Sequence, residues 1–141
     1  MESYEANDLR RAEKQFFFTK YTHESDRTKE VNLGGYFLYK HFDEAAQTST
    51  TNSDLNWSIL RYADVLLMYA EAANEVSGPN QKVYDAVNAI RKRAELPNLS
   101  GLSKDQLREA IWKERWYELC YENITWFDMV RLRKAYNAGT K

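Results

Sequence analysis

From Tyr62 to Val76 nearly every position is apolar or alanine, and the spacing of these residues is helical. One stripe reads Ala63, Leu66, Leu67, Ala70 and Ala73, and a second reads Tyr62, Val65, Tyr69 and Ala72. The pattern predicts a helix buried on more than one side. Ser77-Gly78-Pro79-Asn80 stops it and starts another, whose stripe Val83, Val87, Ile90 and Ala94 ends at Leu96-Pro97. A connection this short makes the two helices antiparallel, so they form a hairpin. A third helix starts at Ser103, because Gln106 follows three residues later and Leu102 and Leu107 stand at the positions of a hydrophobic staple. It runs to about Tyr121. Glu122-Asn123 then offers an asparagine that tolerates a left-handed turn, and Ile124 to Lys134 restarts a shorter helix, giving a second hairpin.

The expectation is a mainly α fold of two tandem helical hairpins over residues 55–141, preceded by an irregular segment, 1–54, with short strands. Those strands are read at Gln15 to Tyr21 and Tyr36 to Phe42, separated by the charged stretch His23 to Glu30, with Gly34-Gly35 as a turn before the second. The polar run Gln47 to Asp54 is too poor in apolar side chains to pack, and reads as a mobile loop or an internal boundary. Two hairpins in series resemble tandem helical repeats, but such arrays usually need three or more units. The missing packing partner would then come from the irregular segment or from chain absent here. The reading is one compact unit that is a fragment of a longer protein.

Function has fewer handles. With 20 Lys+Arg against 21 Asp+Glu, the chain has no broad attraction for nucleic acid or anionic lipid. Hydrophobic residues at 43% and only 5 Gly and 2 Pro call for a packed core. The longest apolar run, Val65 to Ala70, is too short to span a membrane, and the start of the chain has no secretory signal pattern. The lone Cys120 reads as a buried structural thiol. Two histidines, His23 and His41, leave a zinc site or catalytic triad without enough ligands, and no glycine-rich nucleotide loop occurs. Glu114 and Glu118 share a helical row with Arg115 nearby; ion pairs locking helices together explain them better than acid–base or metal chemistry. The helix aromatics Tyr62, Tyr69, Trp112 and Trp116 read as packing. No cofactor is expected.

Three motifs carry a resemblance. Ile59-Leu60-Arg61-Tyr62-Ala63-Asp64-Val65-Leu66-Leu67-Met68-Tyr69-Ala70-Glu71-Ala72 is similar to a signature of the SusD/RagB-like outer-membrane nutrient-binding lipoproteins. Ala86-Val87-Asn88-Ala89-Ile90-Arg91-Lys92-Arg93-Ala94, closed by Leu96-Pro97, resembles a second. The third runs from Leu107-Arg108-Glu109-Ala110-Ile111 through Glu114-Arg115, Glu118-Leu119 and Glu122-Asn123 to Trp126-Phe127-Asp128-Met129-Val130-Arg131. The resemblance implies a C-terminal portion of such a protein. The whole would be a non-catalytic, cell-surface-facing lipoprotein of the outer membrane that captures glycans or other nutrients and partners a SusC-like TonB-dependent transporter. The lipid-bearing cysteine and signal of such a precursor are not in this chain.

The signature residues Arg61, Asp64, Glu71, Arg91, Glu114, Arg115, Glu118, Glu122, Trp126, Asp128 and Arg131 then read as structural. Ligand contacts would come from the irregular segment, where Tyr21, His23 and Trp57 are the candidates for stacking or polar contact with a sugar. The rival reading is a protein-interaction module of helical repeats with a peptide-binding concave face.

Overall fold

The computed structural model describes residues 3–23, 26, 28–43, 46 and 53–134. The chain divides into two units, Met1–Trp57 with Ala94–Leu96, and Ser58–Arg93 with Pro97–Lys141. Of the polar run from Gln47 to Asp54, residues 47–52 lie outside the described residues.

The first unit holds a 3₁₀ turn, Leu9–Arg11, and an antiparallel hairpin of β1 (Phe17–Thr22) and β2 (Glu30–Leu38). Asp8 caps the turn by accepting from the Arg10 amide, and its carboxylate also takes the Arg10 Nε and Nη2 at 2.8 and 2.6 Å. Both side chains are buried, so the pair is isolated from water but fully hydrogen-bonded, the condition under which a buried charge is tolerated. β2 begins six residues earlier than the sequence predicts. Gly34-Gly35 lies inside the strand instead of before it, because Phe18 faces Phe37 while Lys20 faces Asn32, and residues 33–36 bulge out opposite Thr19. Gly34 supplies the positive φ of 70° that this bulge needs. Glu13 takes up the donors this leaves on β1, accepting from the Thr19 amide at 2.8 Å and the Thr19 hydroxyl at 2.9 Å.

The second unit is helical: α1 (Tyr62–Ser77), α2 (Gln81–Arg93), α3 (Lys104–Glu118) and α4 (Thr125–Arg131). Gly78, at φ 70°, ends α1 by donating to the Asn74 carbonyl, and Asn80 opens α2 by accepting from the Val83 amide. The stretch after α2 is pinned twice. Asn88 exchanges two hydrogen bonds with the Leu99 backbone, and the Tyr84 hydroxyl accepts from the Leu102 amide at 2.8 Å.

α3 opens with a complete capping box: Ser103 Oγ accepts from the Gln106 amide while Gln106 Oε1 accepts from the Ser103 amide. Ser103→Ala is expected to lower the unfolding free energy by about 1 kcal/mol, read from urea denaturation, because the Gln106 amide loses its side-chain acceptor. The apolar core joins Ala63, Leu67 and Ala70 of α1, Val83, Ala86, Val87 and Ile90 of α2, and Leu107 and Ile111 of α3, with Leu119.

α1 is buried on one face only. Ala63, Asp64, Leu67, Ala70 and Asn74 are inside, whereas Tyr62, Val65, Met68, Tyr69 and Val76 are exposed. The two stripes are both apolar, but α2 and α3 cover a single one. Likewise Tyr62, Tyr69 and Trp116 are not the packing aromatics expected of them; all three are open, and Trp112 is half-buried with the Lys134 ammonium 4.4 Å from its ring centroid. Cys120 is half-buried, not buried. α3 stops at Glu118, short of Tyr121, because Tyr121 and Asn123 both take left-handed backbone, at φ 62° and 61°.

Candidate functional site

The structure brings the charged signature residues together in three clusters. In the first, Arg115 of α3, only 4% exposed, donates from Nη1 to Asp64 of α1 at 2.7 Å and from Nε to Asp128 of α4 at 3.0 Å. Asp128 also accepts from Arg131 at 2.7 Å, and Arg131 forks onto Glu71 of α1 at 2.5 and 2.7 Å. The chain of charges therefore leaves α1 at Asp64 and returns to it at Glu71, seven residues on, after passing through α3 and α4. α4 has no buried residue, so these pairs are its fastening. Arg131 itself is half-exposed, so its contribution is smaller than that of Arg115.

In the second cluster Arg61, at the N-cap of α1, donates to Glu122 at 2.7 and 2.8 Å, to Glu118 at 2.9 Å and to the Glu118 carbonyl at 3.0 Å. Arg93 at the end of α2 pairs with the same fully buried Glu118. The third is Arg91, which joins Glu114 at 3.0 Å and the Pro97 carbonyl at 2.8 Å, tying the α2 exit to α3. Trp126 stands apart from all three, its indole exposed.

These charges are committed to one another. Burial alone would lower the pKa of Arg61, but the hydrogen bonds to the Glu122 and Glu118 carboxylates, and the charges of those groups, outweigh it and raise the value. Burial pushes the Glu71 carboxyl up, but the hydrogen bonds from Arg131 and the positive charges of Arg131 and Arg115 outweigh it and hold the group below the ordinary 4.5. A depressed carboxylate stabilises the fold above its unfolded pKa and loses that contribution as the pH falls through the lower folded value. Glu71→Gln should therefore flatten the acid side of the stability profile, below roughly pH 5, while leaving its neutral shape unchanged; pH-dependent urea unfolding reads this directly. Among the described residues no group of three or more His, Cys, Asp or Glu could hold a metal ion.

The three candidate contact residues lie in the first unit and are placed differently. Tyr21 belongs to an aromatic cluster, its ring 6.0 Å from Phe42, which in turn packs on Phe18 at 4.5 Å and Tyr39 at 6.1 Å. His23 is exposed in the β1–β2 turn, where its amide donates to the Lys29 carbonyl. Trp57 stacks on His41, with centroids 4.2 Å apart and planes inclined by 21°.

Asp43 accepts from Ser53 at 2.5 Å and from the Ala46 amide at 3.1 Å, and Ser53 accepts from the Leu55 amide. These bonds close the chain between the two stacked rings. The indole is 52% exposed although the imidazole covers one face, so its other face is the open one. Such a braced ring can stack on a flat apolar face of a ligand without having to be ordered first. His41 is the partner that sequence reasoning missed; nothing in a separation of sixteen residues pointed to it.

The SusD family model matches residues 5–141. The chain is 36% identical over 124 residues to SusD-like protein P2 of Formosa agariphila, an alignment that takes in 82% of this chain and 24% of that protein. A crystal structure of a SusD superfamily protein from Parabacteroides distasonis superposes with a TM-score of 0.85 at 47% identity, covering 92% of this chain and 29% of the other. A SusD homolog from Bacteroides thetaiotaomicron gives 0.67 at 29% identity, over 93% and 27% of the two chains. The chain thus spans about a quarter of the length of the curated relatives it matches.

Proposed function

Since the chain belongs to the SusD family, whose members are in general nutrient-binding outer-membrane components, we propose that it is the C-terminal part of a non-catalytic glycan-capture protein. The whole protein would sit as a lipoprotein on the outer face of the outer membrane and work with a TonB-dependent transporter. The family match over residues 5–141 is the observation that carries this reading. One structural feature supports it. The braced Trp57 ring has the chemistry of a stacking platform for the apolar face of a pyranose.

Trp57→Ala in the full-length protein should weaken its best oligosaccharide by about tenfold, roughly 1.4 kcal/mol, in calorimetric titration, with Tyr21→Ala near neutral. Unchanged affinity in both variants would remove this segment as a contact surface.

A further inference from the structure

A groove of about 340 Å³ opens on the helical unit where the start of α1 runs beside the end of α2. Ala63, Leu66, Ala89 and Ile90 line it, Tyr62 stands with them, and Arg61 and Arg93 are its charged lining residues. Tyr62 is 74% exposed, so its ring is free to border a ligand. Arg61 spends Nε and Nη2 on Glu118 and Glu122, and Arg93 spends Nη2 on Glu118. Nη1 of Arg61, and Nε and Nη1 of Arg93, therefore keep donors without an acceptor among the described residues. The acidic partners do not compete for the outer side: the Glu118 side chain is 0% and that of Glu122 8% exposed, against 25% for Arg61 and 53% for Arg93. The two arginine side chains are therefore more open to a ligand than the carboxylates that neutralise them.

We propose that this groove binds a small aromatic carboxylate. The ring would lie against Ala63, Leu66, Ala89 and Ile90 beside Tyr62, and the carboxylate would accept from the spare donors of Arg93 and Arg61. An apolar body fits the lining, and a single planar anion fits donors in a fork at its rim, whereas a more polar anion would strand its charge on alanine and isoleucine. The volume lies within the range of small-molecule sites. This inference does not rest on the glycan reading, which concerns residues of the other unit.

The test titrates 3-phenylpropionate, and its neutral amide 3-phenylpropionamide, into the 141-residue chain followed by NMR. The expected result is saturable binding of the acid, about tenfold weaker for the amide, with shifts centred on Leu66, Ala89 and Ile90. Ala89→Trp, which fills the groove from an exposed helix position, should cost at least about tenfold in affinity. No saturable binding of the acid, equal binding of acid and amide, shifts centred elsewhere, or an Ala89→Trp variant that folds and binds like the parent would overturn the proposal. Should Ala89→Trp not fold, the acid-to-amide ratio and the shift map in the parent chain decide.

Discussion

Arg115→Ala is expected to destabilise the helical unit by about 3–5 kcal/mol, more than any other single charge removal in it. Arg115 is 4% exposed and carries two carboxylates, Asp64 at 2.7 Å and Asp128 at 3.0 Å. Removing the guanidinium leaves Asp64 buried without its cation, and a buried carboxylate without a partner costs far more than the pair was worth. The first turn of α1, where Asp64 sits, offsets part of this through the helix dipole, and Asp128 keeps Arg131. Arg108→Ala is the control, since its pairs with Glu75 and Asp105 lie at the surface and should be worth no more than about 1 kcal/mol. Urea unfolding of both variants decides the matter. Equal, small losses would mean that the first charge cluster does not hold the helices. With Arg115 gone, α4 keeps only Arg131 as an ion-pair tie among the described residues, so its amides should exchange with solvent before those of α2 and α3.

Leu67→Ala is expected to cost about 2–5 kcal/mol, because the residue is fully buried in the core that α1 shares with α2 and α3 and its loss leaves a cavity there. Its neighbour Met68, 44% exposed, should cost under about 0.5 kcal/mol when cut to alanine. The contrast separates the two faces of α1. A Met68→Ala loss comparable to that of Leu67→Ala would mean that the outer stripe is covered in solution.

That outer stripe marks where sequence stopped being informative. A helix apolar on several sides declares how much it could bury, but periodicity carries no information about which neighbours are present, so Val65 and Tyr69 looked like core and are open. The inner stripe, the α2 stripe ending in Ala94 and the capping box at Ser103 were legible because each is a local pattern that the helix itself imposes. Gly34-Gly35 misled because a glycine pair serves a turn and a bulge equally well; the choice between them depends on the register against β1. Charge wiring was legible only within a helix. Glu114 and Glu118 share a row that spacing reveals, while Arg61 meets Glu122 across sixty-one residues. The Trp57–His41 stack had no local signal at all, since two aromatic rings meet through the path of the chain between them.

Capture without chemistry is tested by calorimetric titration of a panel of oligosaccharides into the full-length protein, with chromatography of each sugar after prolonged incubation. The expected result is saturable binding of at least one oligosaccharide, recovered intact. Shortened or modified sugar in the chromatogram, or no binding across a panel that includes the glycans its own cells consume, would contradict it.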